Sequence, residues 1–479
     1  MNIQQDDILL YTAVIKAFYD DFSLDKSWFI TGTWEEGQES VLSLLNGKSF
    51  LSTSDLQLLK REHFSFSYRT AYVSYQDGVI DKHATYYQQR FHATEMDDIF
   101  TLQNYLFQST SFKATKENLE LLDLFHLRQL LNEEVIKLSN GEGRKAALLK
   151  ALLQNPQVLI LDNPTEGIDQ ATLPEFDLLF KKLVSKGYCI IVRSNKTQLK
   201  PSWVHRVFLV NTPGEIHVMS VDEYAARSVV SKREYPDSAI SVPPLKNNKD
   251  GVVAKLTDVS VKYGDKVVLD NICWEIEKGS RWQLKGVNGA GKSTLLSLIF
   301  ADHPQSYAND IEVFGIKRGS GESIWDIKEK IGYYSPEMFY YADKSQTCRE
   351  AIFSGIYRNP YRKSLKEPAL EKLAEDLFRF LFDAVSWELK LYQLSPVKQR
   401  LVMLIRALAS NAPLMLLDEP FQGFDGDLLL KAKIATNNVC GDKTLVFVSH
   451  DPDDMPFGLV KTFELSHGQG REIRTDFKE

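Results

Sequence analysis

The sequence is poor in cysteine, has no long apolar run and carries no surplus of positive charge, and each shortage removes a class of protein. The four cysteines of the 479-residue chain (Cys189, Cys273, Cys348 and Cys440) stand far apart, with no CxxC pair. That spacing excludes a disulfide framework and predicts reduced, buried thiols of the cytosolic kind. The nine histidines show no metal-ligand spacing either. No apolar run approaches the roughly 18 residues that span a bilayer, and residues 1–30 lack a signal-peptide pattern. The expectation is a soluble protein without a membrane span of its own, either cytoplasmic or peripheral at the inner face of the plasma membrane, so any membrane role needs a partner that supplies the spans. A formal charge of −7 and a pI near 5.8 argue against a general nucleic-acid binder. There is no low-complexity tract, and the length is comfortable for two domains that each bury a core.

What the chain does have is an internal repeat. Residues 286–294 read Gly-Val-Asn-Gly-Ala-Gly-Lys-Ser-Thr, an intact phosphate-binding loop, and Gly32–Ser40 is a damaged copy of it. The loop lysine position is Gln38 in the first half and Lys292 in the second. A Leu-Ser element follows at Leu138-Ser139 and Leu394-Ser395, its serines 101 and 103 residues past the loop position. Apolar runs then end at Asp162 and Asp418, each 23 residues beyond its Leu-Ser, and strand-like runs reach Asn195 and His450, 33 and 32 residues beyond the aspartates. Four landmarks whose three spacings agree to within two residues mean tandem duplication. Runs such as Cys189–Val192 and Leu445–Val448, apolar throughout, read as buried parallel strands with helices between them. Each half is therefore expected to be an α/β P-loop NTPase domain. The polar stretch 226–250, with Pro236, Pro243 and Pro244, reads as a linker between domain 1 (1–225) and domain 2 (251–479).

In the second half the chemistry is complete. The loop, with Gly286, Asn288, Gly289, Ala290, Gly291 and Thr294, aims backbone N–H groups at phosphates, assisted by the helix that follows. Lys292 is placed for the β- and γ-phosphates of ATP and Ser293 for Mg²⁺. A carboxylate such as Asp418 at the end of a buried strand is costly unless a cation satisfies it, and Mg²⁺ would do so. Glu419 is next along, placed to polarise an attacking water, with His450 available to the γ-phosphate. Tyr263, 29 residues before Lys292, is placed to stack on adenine; the alternative is a half-buried strand aromatic.

The order of P-loop, Leu-Ser signature, Asp-Glu and His resembles the ATP-binding cassette (ABC) ATPases over almost the whole chain. The stretch Leu298–Ser335, with Asp302–Gln305 and Arg318–Ile327, resembles the tandem-cassette molybdenum-transport ATP-binding proteins (ModF, also called PhrA). The resemblance implies two cassettes, each with a RecA-like core and a helical subdomain. It also implies head-to-tail pairing, within one chain or between two, so that each ATP lies between one cassette's P-loop and the other's signature. Ser139 and Gly141 of the signature Leu138–Glu142 would then contact ATP held by Lys292.

The defects sort by site. The first cassette has Gln38 for the lysine, Glu39 for the Mg²⁺-binding hydroxyl, Glu35 and Glu36 inside the loop, Asn163 for the glutamate and Asn195 for the histidine. These carboxylates would repel a triphosphate. In the second cassette's signature, Leu394–Arg400, Val397 replaces a glycine and Pro396 removes an N–H. Head-to-tail assembly gathers these faults into one site and leaves the other intact. One departure falls on the intact site: where the family places a Q-loop glutamine, this chain has Pro336-Glu337, and Glu337 would have to substitute as an oxygen ligand to the metal. The first-half equivalent is Gln76; the run Tyr86–Arg90 is unassigned. The expected function is an ABC-type ATPase that turns over ATP at one composite site and energises a membrane permease. The alternative is a soluble mechanical or regulatory tandem-cassette ATPase acting on ribosomes or nucleic acid. A short proline-containing linker, with no zinc module and no coiled coil, counts against the alternative.

Overall fold

The computed structural model describes residues 16–474 apart from 19, 33–36, 39–40, 43–44, 46–67, 75–100, 108–115, 136–137, 139, 166–172, 195–201, 213–214, 228–239, 245–250, 265, 288, 359–365, 383–384, 425, 450–454, 457, 459–460 and 467. The chain divides into two compact units, Met1–Lys232 and Arg233–Glu479.

The first unit is organised by a six-stranded sheet. Its strands are β1 (Trp28–Thr31), β2 (Thr70–Ser74), β3 (Val158–Asp162), β4 (Cys189–Arg193), β5 (Arg206–Thr212) and β6 (Glu215–Ser220). The spatial order is β2-β3-β4-β1-β5-β6, parallel except for the β5–β6 hairpin. β1 and β4 are buried at every position, as strands covered on both faces require. One face holds an aromatic cluster of Phe18, Trp28 and Phe208, with Ile30 in the same core. The other holds the helices Leu102–Phe107, Lys116–Leu124, Asn140–Leu152 and Leu173–Ser185.

The second unit opens with an antiparallel hairpin, β7 (Val252–Tyr263) and β8 (Lys266–Glu277), continues through β9 (Arg281–Gly286), and adds β10 (Asp310–Val313) and β11 (Ile316–Lys317). Then come β12 (Ile331–Tyr334), β13 (Leu414–Asp418), β14 (Thr444–Val448), β15 (Lys461–Ser466) and β16 (Gln469–Arg474). Its main sheet, β12-β13-β14-β9-β15-β16, repeats the order and sense of the first unit's sheet strand for strand. The duplication therefore extends to register: Asp162 pairs with Arg193 where Asp418 pairs with Val448. A smaller sheet, β11-β10-β7-β8, has no counterpart among the described residues of the first unit. It is held to the main sheet by Trp274, stacked on Phe463 at 4.4 Å and edge-on to Trp282 at 5.5 Å.

A helical layer covers the other face of this second core. Helices Cys348–Ile356, Pro368–Leu381 and Pro396–Ala409 bury Ile352, Leu373, Leu377, Leu404 and Leu408 together. Each begins on a local signal. Thr347 and Glu350 form a reciprocal capping box, and the other two helices carry Pro at their first position. Of the segment read as a linker, 226–227 and 240–244 are described: 226–227 end the helix Val221–Arg227, and 240–244 packs on the second unit, with Ile240 buried and Asn411 Nδ2 donating to the Pro243 carbonyl at 3.0 Å. No helix among the described residues is long and apolar enough to cross a membrane.

Candidate functional site

The loop of the second unit runs from β9 into the helix Lys292–Ile299. Its glycines are there for two reasons. Gly286 lies so close to β15 that a Cβ would sit 2.6 Å from the Leu465 carbonyl oxygen. Gly291 caps the helix at φ +99°, and a Cβ there would meet Leu269 at 2.8 Å and the Val268 carbonyl at 3.1 Å. The loop closes around its own lysine: Lys292 Nζ donates to the carbonyls of Gly286 (2.8 Å) and Val287 (3.1 Å). Ser293 Oγ donates to Asp418 Oδ2 at 2.6 Å, across 125 residues of sequence. Asp418 is only 3% exposed, so this hydroxyl and carboxylate meet at the edge of the core, beside the loop. Glu419 follows with left-handed backbone (φ +49°), its N–H bonded to the Val448 carbonyl at 3.0 Å.

Tyr263 ends β7 with its hydroxyl 2.7 Å from His303 Nε2. Because the Gln305 N–H donates to His303 Nδ1 at 3.1 Å, that nitrogen carries the lone pair and Nε2 the proton. The histidine therefore donates to the tyrosine and fixes its hydroxyl end. Glu337 occupies the second position of the helix Pro336–Tyr341, directly after β12. Lys344 ties this helix to the signature helix: Nζ donates to the Phe339 carbonyl at 2.5 Å and to Gln399 Oε1 at 2.7 Å. Burial, with Arg400 nearby, brings the Lys344 amine down to about 8. Ser395 Oγ caps the signature helix by accepting from the Lys398 N–H, and Pro396 takes the first helical position, where an absent N–H breaks no helical bond. Val397 follows, half-buried. His450 and Asn288 lie outside the described residues.

The first unit keeps the scaffold and changes the chemistry. Gln38 is fully buried and donates from Nε2 to the Gly32 carbonyl at 2.9 Å, the contact that Lys292 makes to Gly286. Asn163 has φ +48° and donates its N–H to the Arg193 carbonyl at 2.8 Å, matching Glu419 in both respects. Asp162 accepts from Arg193 Nε at 2.7 Å and from the Tyr72 hydroxyl at 2.8 Å. Gly141 and Glu142 fall in the first turn of the helix Asn140–Leu152. Farther along that helix Arg144 donates to the Pro164 carbonyl at 3.1 Å, much as Arg400 donates to the Gln422 carbonyl at 3.2 Å. Glu35, Glu36, Glu39, Gln76, Tyr86–Arg90, Ser139 and Asn195 lie outside the described residues.

Sequence reasoning missed Arg193, Tyr72 and Lys344. Arg193 had a signal: it is the one charged residue at the end of an otherwise apolar strand, Cys189–Arg193. Tyr72 and Lys344 had none, since their partners lie 90 and 55 residues away.

The family model described as ABC transporter matches residues 30–166 and 269–422, one span in each unit. The chain is 30% identical to the ABC transporter ATP-binding protein ModF of Escherichia coli, over 92% of this chain and 91% of that one. It is 29% identical to an uncharacterized ABC transporter ATP-binding protein of Schizosaccharomyces pombe, over 81% and 80% of the two chains. Among solved structures, a complex of an archaeal ribosomal stalk protein with an archaeal ribosome recycling factor superposes with TM-score 0.54 at 17% identity, covering 94% of this chain and 85% of that one. The structure named RNase-L Inhibitor gives 0.53 at 16%, with the same coverage. At such identity these two establish the fold alone. With the family matched in both halves, and the strand order repeated between them, the chain belongs to the ABC transporter ATP-binding cassette family, as a tandem pair of ATPase cassettes.

Proposed function

We propose that this ATPase turns over ATP at one composite site, formed by the second cassette's loop, Asp418 and Glu419 together with the first cassette's signature, Leu138–Glu142. The observation that carries the reading is the contrast between the two loops. Lys292 and the Ser293–Asp418 pair stand ready in the second, while Gln38 and an arginine-bound Asp162 occupy the same places in the first.

The Ser293 hydroxyl and Asp418 carboxylate are hard oxygen donors 2.6 Å apart, a set that fits Mg²⁺. When bound, that ion neutralises charge on the transferring phosphoryl group. Lys292 exchanges its loop carbonyls for β- and γ-phosphate oxygens, and the loop N–H groups receive the rest of the phosphate chain. Glu419 orients the attacking water, with His450 toward the γ-phosphate and Glu337 as a further oxygen ligand. Tyr263, held at its hydroxyl by His303, stacks on adenine. Ser139 and Gly141 close the site from the other cassette, whether pairing occurs within one chain or between two. A membrane permease is the partner this reading favours, supported by the likeness to a transporter's ATP-binding protein along nearly the whole chain.

The test counts Mg-ATP per chain by equilibrium dialysis on Glu419→Gln. One ATP is expected, lost when Lys292→Ala is added and retained when Gln38→Ala is added. Two ATP per chain would overturn the one-site reading. For the partner, co-purification with a membrane protein is expected; salt-resistant co-sedimentation with ribosomes instead would move the assignment to a ribosome-acting ATPase.

A further inference from the structure

The shared register of the two sheets allows the same positions to be compared side by side. In the second cassette, Asp418 pairs across β13–β14 with Val448, and its carboxylate is met by a serine hydroxyl. In the first, Asp162 pairs across β3–β4 with Arg193, and the guanidinium is the cation at its carboxylate. The two side chains are only 7% and 13% exposed. Arg193 Nε donates to Oδ1 at 2.7 Å, Asn163 Nδ2 to the same oxygen at 3.3 Å, and the Tyr72 hydroxyl to Oδ2 at 2.8 Å. Both carboxylate oxygens therefore have partners, and a positive charge already lies at contact distance. A divalent ion brought to Asp162 would meet that charge and would have to displace these bonds. Among the described residues, those around Asp162 do not fit Mg²⁺.

The loop is altered in the same sense. Gln38 reproduces the lysine's contact to the first loop glycine with a neutral amide, 2.9 Å against 2.8 Å. Two cations that a working cassette needs, the lysine and the metal, thus have internal replacements here: an uncharged amide for one and a fixed guanidinium for the other.

We propose that Arg193 takes the place of the divalent cation in the first cassette, so that this half keeps its strand-end carboxylate permanently neutralised and takes up no Mg²⁺. The cassette holds its shape without metal or nucleotide. It deepens the one-site reading, but the interaction it names is separable from nucleotide binding.

The experiment is thermal unfolding of the full chain without nucleotide, in EDTA and in millimolar MgCl₂, for wild type, Arg193→Val, Arg193→Lys and Asp162→Asn/Arg193→Val. Arg193→Val installs the residue that the second cassette has at this register, and strands a mostly buried carboxylate. Loss of one partner of such a pair should lower the first transition by on the order of 10 °C in EDTA. Mg²⁺ should return part of that loss in Arg193→Val and add nothing comparable in wild type. The double variant should recover most of the loss in EDTA and gain nothing from Mg²⁺, because no carboxylate remains to neutralise. Arg193→Lys should stay near wild type. If Arg193→Val does not fold, the double variant and Arg193→Lys still carry the comparison. A double variant as unstable as Arg193→Val, or an Arg193→Val loss untouched by Mg²⁺, would make Arg193 a packing residue and overturn the proposal. Since no nucleotide is present, that failure is distinct from finding two ATP per chain.

Discussion

Glu419 sits at φ +49°, in the left-handed region that non-glycine residues avoid, and Asn163 holds the same position in the first cassette at φ +48°. Left-handed backbone costs an ordinary L-residue roughly 1–2 kcal/mol, and Asn is among the few side chains that accept it readily. The first cassette therefore carries the residue the backbone prefers, and the second carries a glutamate the backbone disfavours. Glu419→Asn should stabilise the second unit by about 1 kcal/mol. For a unit of this size that raises its unfolding midpoint by roughly 2–4 °C. Removing a carboxylate next to the buried Asp418 acts in the same direction, so Glu419→Gln serves as the control that drops the charge and keeps the backbone preference. Calorimetry of the nucleotide-free chain should rank the midpoints Asn above Gln and Gln at or above Glu, while both variants lose ATP turnover. The reverse exchange, Asn163→Glu, should lower the first unit's midpoint by a similar amount. If Asn and Gln at 419 give equal midpoints, or Asn163→Glu is neutral, the glutamate is not held against its backbone preference and the reasoning fails.

A Cβ on Gly32 would sit 2.2 Å from the Val210 carbonyl oxygen at φ +131°, so Gly32→Ala should destabilise the first unit by about 2–4 kcal/mol, although this loop has lost its lysine; an unchanged melting curve would refute the close approach. Burial pushes the thiols of Cys189 up to about 12 and of Cys348 and Cys440 up to about 11, whereas Cys273 is exposed. A thiol reagent at pH 8 should titrate one fast thiol per native chain and four after denaturation, and Cys273→Ser should abolish the fast phase.

The loop, the two strand-end aspartates and the repeat were legible because each is a local pattern at a fixed spacing. Arg193 stands out as the one charge on an apolar strand, but its partner was not legible, because the register between β3 and β4 brings it beside Asp162 across 31 residues of sequence. Pro396 was legible as a lost N–H but not as the first residue of a capped helix, where that loss leaves the helical ladder whole. The small antiparallel sheet escaped because periodicity in β7 and β8 identifies strands without saying which sheet they join. Tyr263 was singled out by its spacing from Lys292, yet its bond to His303 required the tertiary fold to bring together residues 40 apart.

The first cassette is more informative as a relaxed cassette than as a broken one. It retains what the fold needs: the strand order, the glycine pressed against β5, and an N–H to carbonyl bond after the aspartate that matches the second cassette's. The two halves differ in groups whose local cost bound metal and nucleotide would offset. Where the second has a buried lysine the first has an amide, where the second has a glutamate disfavoured by its backbone the first has an asparagine suited to it, and where the second has a valine paired with the aspartate the first has an arginine that neutralises it. A valine at 193 would leave the Asp162 carboxylate without this counterion, at a cost of several kcal/mol.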